Sequence, residues 1–129
     1  MADPVDHPAH YSTGRFTCEC IAVTRHMTFL AGNAVKYCWR HAEKNGVEDL
    51  RKAAVYLRWA SEDGDRAAIQ GRSGKLVGLT NQHVVKPLME TPGPHSRAYH
   101  AIIRICLHSD FHGALEEVEQ AIRDLEAAA

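Results

Sequence analysis

Residues 31–61 read AGNAVKYCWRHAEKNGVEDLRKAAVYLRWAS, and their spacing decides the fold class. Ala31, Ala34, Val35, Cys38, Trp39 and Ala42 fall at i, i+3, i+4, i+7, i+8 and i+11, one apolar stripe of an α-helix. Lys44-Asn45-Gly46 supplies the stop, because Asn and Gly tolerate the left-handed backbone that ends a helix. Val47, Leu50, Ala53, Ala54, Leu57 and Ala60 then form a second stripe. Two helices over 31–44 and 47–61, joined by so short a link, predict an antiparallel hairpin whose stripes cover one another.

Working outward, a further helix is expected before the hairpin, from about Phe16 to about Phe29. Residues 62–95 change character. Glu62-Asp63-Gly64-Asp65, Gly71-Arg72-Ser73-Gly74-Lys75 and Thr91-Pro92-Gly93-Pro94 make a polar stretch rich in helix breakers. This reads as a loop or lid, with a short helix around Asn81–Val85 stopped by Pro87. Helical spacing returns with Ala98, Ala101, Ile102, Ile105 and Cys106, and again with Leu115, Val118, Ala121, Ile122 and Leu125. Ser109 or Asp110 suits the N-cap of the last helix. No alternating strand pattern stands out. The expectation is an all-α single domain, 1–129, of about five helices. Within it, 1–60 is a helical core, 62–95 a loop or lid, and 96–129 a C-terminal helical pair.

The bulk numbers narrow the function classes. A length of 129 residues with 45% hydrophobic content suits one domain with one core. A net charge of −1 argues against a protein that coats duplex nucleic acid by neutralising phosphates. The charge is uneven, however: residues 1–60 hold eight Lys/Arg against six Asp/Glu, and residues 97–129 hold three against six. The basic first half suits a small anion such as a nucleotide. No apolar run approaches membrane-spanning length and the N-terminus is polar, so neither a membrane span nor a signal peptide is read here. Four cysteines then read as reduced thiols, and the expected location is the cytoplasm.

Metal chemistry finds little support. Cys18-Glu19-Cys20 is too tight for a zinc pair, and no second pair follows. His108 and His112 have helical ligand spacing but span the junction between two helices. Gly71-Arg72-Ser73-Gly74-Lys75 fails as a P-loop, since Ile69 stands where a glycine is required and Leu76 where Ser or Thr would hold Mg²⁺. No tightly bound metal is expected.

The polar faces of the hairpin are more informative. Asn33, Lys36, Tyr37 and Arg40 recur at i, i+3, i+4 and i+7, opposite the apolar stripe. Two cations one turn apart can engage phosphate oxygens, the guanidinium in a forked manner. The amide could read a base edge or ribose, and Tyr37 could stack on a base. An ordinary solvated helix face would look the same. On the next helix Glu48, Asp49, Lys52 and Tyr56 form a second polar set. Either acid could hold Mg²⁺ or accept a proton, and either could equally be a helix-start residue favoured by the dipole. His7-Pro8-Ala9-His10-Tyr11 near the N-terminus is an extended lead-in stiffened by Pro8, or one wall of a site.

Three ordered blocks carry a resemblance. Asp3-Pro4-Val5 with His7-Pro8-Ala9-His10-Tyr11, then Gly32-Asn33-Ala34-Val35-Lys36-Tyr37 with Trp39-Arg40, then Glu48-Asp49-Leu50-Arg51-Lys52-Ala53 with Tyr56-Leu57 are similar to the pattern V-N-H-P-x-H-Y, G-N-A-I-K-Y-x-x-R, E-D-L-x-K-A-x-x-Y-L. That pattern marks a short domain common in tailed phages, over residues 3–60 here. Its characterised member is the small nucleotide kinase of podophages, which phosphorylates deoxynucleoside monophosphates without a P-loop. Asp6 departs from the commoner Asn, and His41-Ala42-Glu43-Lys44 from a glycine-bearing A-G-x-K.

The resemblance implies a nucleotide ligand, with phosphates on Lys36 and Arg40 and the nucleoside held by Asn33 and Tyr37. Lys52 would reach across from the neighbouring helix, and His7, His10 and Tyr11 would cap the site. Phosphoryl transfer needs mainly positioning and charge neutralisation, so Mg²⁺ on Glu48 or Asp49 could suffice. Three readings follow: a nucleoside monophosphate kinase of phage nucleotide metabolism in the infected host cell; a non-catalytic protein that sequesters a nucleotide, including a cyclic nucleotide signal of host defence; and a helical interaction module without a small ligand. Homo-oligomerisation through helical faces is expected in each, because five amphipathic helices in so short a chain rarely bury every apolar face alone.

Overall fold

Apolar stripes at helical spacing must find one another, and in the computed structural model they do. It describes residues 18–69, 73–85, 93 and 95–129. Among these the helices are α1 (Cys20–Thr24), α2 (Phe29–Arg40), α3 (Val47–Asp63), α4 (Ser73–Thr80), α5 (Ser96–His108) and α6 (Phe111–Ala128). The fold is all-α.

The hairpin forms the centre. Ala31, Ala34, Val35, Cys38 and Trp39 of α2 are buried against Leu50, Ala53, Ala54, Leu57 and Ala60 of α3. The α-helix stops at Arg40, earlier than the sequence stop at Asn45-Gly46, and a tighter 3-10 turn carries His41–Glu43. Gly46 then turns the chain into α3 with φ +58°, a conformation that glycine adopts without steric cost. The end of α3 is a Schellman arrangement: Gly64 (φ +65°) donates to the Ser61 carbonyl, and Asp65 to that of Ala60.

The other helices close the core around that hairpin. From α5, Ala98, Tyr99, Ala101, Ile102, Ile105 and Cys106 are buried, and from α6, Phe111, Ala114, Val118 and Ala121. His41 is fully buried and ties the hairpin to α5. Its Nδ1–H donates to the Cys38 carbonyl at 2.6 Å, and its Nε2 lies 2.9 Å from Nδ1 of His95, just before α5. Asp110 is the N-cap of α6, accepting from the Gly113 N–H at 2.9 Å.

Two stretches differ from the sequence reading. The helix expected from about Phe16 to Phe29 is, among the described residues, only Cys20–Thr24. Tertiary pairing breaks it: Met27 bridges Ala68, Thr28 N–H donates to Ala67 O, and Ile69 N–H to His26 O. Thr28 Oγ1 also donates to Asp65 Oδ2. Within the stretch 62–95 read as a loop or lid, Ser73–Thr80 is helical where no helix is expected, and it runs on into a wider π turn over Asn81–Val85, where the sequence places a short helix. Leu76, Thr80 and Val84 recur every four residues and are buried, so this segment joins the core. Gly71, Arg72 and Pro87 lie outside the described residues.

Candidate functional site

The α2–α3 hairpin is antiparallel, so the start of α2 faces the end of α3 and the end of α2 faces the start of α3. At the latter end, Arg40 Nη2 donates to Asp49 Oδ1 at 3.2 Å. The Asp49 side chain is fully buried and that of Arg40 is 12% exposed. The other carboxylate oxygen, Oδ2, accepts from the Asn45 backbone N–H at 3.1 Å. Asp49 is thus committed to holding the 41–46 connection and the guanidinium.

Next along the face, three cations gather on one ring. Lys36 Nζ lies 4.5 Å from the Tyr37 ring centroid, Arg40 Cζ 4.9 Å and Lys52 Nζ 5.6 Å. The ring quadrupole attracts each of them. Tyr37 stacks on Tyr56 of α3, with centroids 5.9 Å apart and planes 17° from parallel. The sequence spacing put Lys36, Tyr37 and Arg40 on one helix face. The packing adds Lys52 and Tyr56 to it from the neighbour. Among the described residues neither Lys36 nor Lys52 has a carboxylate within ion-pairing distance. Glu48 lies on the exposed side of the first turn of α3.

Asn33 sits beside Lys36, but its Nδ2 donates to the Phe29 carbonyl at 2.8 Å, one turn back. A shallow cleft of about 220 Å³ lies there, lined by Phe29, Gly32, Asn33 and Lys36 with Thr24, Met27 and Thr28. His7, His10 and Tyr11 lie outside the described residues. Sequence reasoning passed over Phe29 and Trp59, whose rings stand edge-on to Tyr56 at 6.0 and 5.7 Å. The signal was an aromatic residue at an outward helical position, which spacing alone does not separate from chance.

Among the described residues no group of three His, Cys, Asp or Glu side chains could hold an ion. Both oxygens of Asp49 are engaged. Of the two acids that the sequence offers for Mg²⁺, only Glu48 is exposed. Cys38, on the inner side of α2, offers no nucleophile. Burial pushes its thiol far above the ordinary range, and Cys106 and Asp49 add to the effect.

Among the described residues no helix is long and apolar enough to cross a membrane. Neither the curated proteins nor the solved structures compared with this chain gave a match. Residues 5–58 match the model of a family described as a protein of unknown function, DUF3310, so the segment that builds the cationic face, α2 and most of α3, carries that family's pattern.

Proposed function

We propose that the protein binds a nucleotide, with its phosphates on Lys36, Arg40 and Lys52. The observation that supports this is the convergence of three cationic groups on the Tyr37 ring, within 4.5 to 5.6 Å of its centroid. Three like charges repel when close, and the buried Asp49 carboxylate pairs with Arg40 alone among the three. A bound phosphate relieves that repulsion and gains charge-assisted hydrogen bonds. Arg40 is held from behind by Asp49, which fixes the guanidinium before a ligand arrives.

Between the enzymatic and the binding forms of this reading, the position of Asp49 favours binding without turnover. A general base must reach the proton it removes, and this carboxylate is buried and engaged at both oxygens. Phosphoryl transfer, the activity suggested by the resemblance to the podophage kinase, would fall to Glu48 with Mg²⁺. The setting in phage nucleotide metabolism rests on that sequence resemblance alone.

A thermal-shift screen against nucleoside mono-, di- and triphosphates and cyclic nucleotides, with and without Mg²⁺, tests the reading. Stabilisation by at least one nucleotide, lost in Lys36→Gln/Lys52→Gln, is the expected result. No shift with any of them sinks it. Incubation of a stabilising monophosphate with ATP, followed by mass analysis, then separates the two forms: a diphosphate product shows a kinase, and unchanged ligand shows a binding protein.

A further inference from the structure

We propose that Phe29 and Trp59 hold the base of the nucleotide, at the end of the hairpin away from its phosphates; this rests on the reading that Lys36, Arg40 and Lys52 hold the phosphates. The two rings are placed where a core does not need them. Phe29 is 73% exposed and Trp59 is 50% exposed, among the most exposed large apolar side chains described. Each stands edge-on to Tyr56, at 6.0 Å and 73° for Phe29 and at 5.7 Å and 87° for Trp59. Tyr56 is thereby the shared base of two standing rings, and its own ring continues into the stack with Tyr37.

The register along the helices sets the distance to the cations. Phe29 and Lys36 are seven residues apart on α2, and Lys52 and Trp59 are seven apart on α3. Because α2 and α3 run antiparallel, both intervals point the same way: aromatic at one end, cationic at the other. Seven residues at 1.5 Å each put the two ends about 10 Å apart. A nucleotide has the same polarity, with a flat π-system at one end and negative charge at the other. An apolar surface beside a cationic one suits such a ligand better than it suits a purely apolar partner. Stacking on an aromatic ring tolerates any base, so these residues would confer preference for a nucleotide over a bare polyphosphate, and little preference among bases.

The test compares a nucleotide with its phosphates alone. ATP, GTP, CTP and TTP are titrated beside inorganic tripolyphosphate, following tryptophan fluorescence and calorimetric heat. Trp39 is buried and Trp59 half-exposed, so a ligand-dependent quench reports Trp59, and Trp59→Phe should remove it. Nucleoside triphosphates are expected to bind on the order of tenfold tighter than tripolyphosphate. Phe29→Ala and Trp59→Ala should each erase most of that difference and leave tripolyphosphate affinity unchanged. Both side chains are solvent-facing, so the variants fold, as circular dichroism and the melting temperature will check. Equal affinity for tripolyphosphate and the triphosphates overturns the base site and leaves the phosphate site standing. Binding of neither overturns both. If Phe29→Ala or Trp59→Ala instead turns an oligomer into a monomer with nucleotide affinity intact, the rings serve contact with a second copy and the proposal fails.

Discussion

Arg40 and Asp49 meet across the turn between α2 and α3, Nη2 to Oδ1 at 3.2 Å, and they join the fold to the candidate site. The carboxylate is fully buried, so its charge is tolerable only because the guanidinium and the Asn45 N–H neutralise and solvate it. The guanidinium, in turn, lies over the ring of Tyr37, 4.9 Å from its centroid. Removing either partner should therefore damage both stability and binding.

Asp49→Ala is expected to lower unfolding free energy by on the order of 3 kcal/mol, because it strands a largely buried cation and an N–H. Asp49→Asn keeps an acceptor for Asn45 and should cost less. Urea unfolding of the two variants beside the parent checks the order; equal stability of all three would show that the pair is not structural.

Lys36→Gln and Lys52→Gln should behave in the opposite way. Each removes one of three neighbouring like charges, so stability should stay within about 0.5 kcal/mol of the parent or rise. Phosphate-ligand affinity should fall several-fold, and its dependence on salt should weaken, as calorimetry at two ionic strengths would reveal.

The cap of α6 carries a pH-dependent contribution. The Gly113 N–H holds the Asp110 carboxyl below the usual carboxylate range, with Arg104 adding to it at 3.0 Å. A carboxyl depressed in the folded chain stabilises above its unfolded pKa of about 3.9, and that contribution is lost as pH falls through the folded value. Asp110→Ala should cost about 1 kcal/mol at pH 7, and its difference from the parent should shrink as the pH is lowered below 4. Gly113→Ala should damage the same cap, since a Cβ there would collide with the Asp110 carboxylate, 2.7 Å from its Cγ.

The thiols should be slow to alkylate in the folded protein. Burial pushes Cys106 up to about 12 and Cys18, with help from Glu19, up to about 11, and it drives Cys20 and Cys38 higher still. Iodoacetamide at pH 8 should label little until denaturant is added, after which all four react; intact-mass counting resolves the two cases.

The hairpin was legible in the sequence because helical stripes have a strong period. Ala31, Ala34, Val35, Cys38 and Trp39 could be placed on one face from spacing alone, and so could Lys36, Tyr37 and Arg40 on the other. A cap at Ser109 or Asp110 was legible as well, since a short acceptor before an apolar run has one common use, and the structure chooses Asp110. The short helix around Asn81–Val85 was legible, but the helix before it, Ser73–Thr80, was hidden because Gly71 and Gly74 mark its start as breaker-rich. Only burial of Leu76, Thr80 and Val84 against the other helices shows what those residues gain by folding. The shortened first helix was hidden for a related reason: Met27 and Thr28 pair with Ala67 and Ala68, some forty residues on.

The sequence by itself determined which residues share a helix face, because the α-helical period follows from local backbone geometry. It thereby determined the all-α class and the hairpin. Only the tertiary structure decided which faces meet. Lys52 and Tyr56 join Lys36, Tyr37 and Arg40 because α2 and α3 pack antiparallel in one register, and Asp49 is buried and engaged by Arg40 for the same reason. Periodicity fixes direction around a helix axis and says nothing about the neighbour's height along it. That height is set by how the two apolar stripes interlock.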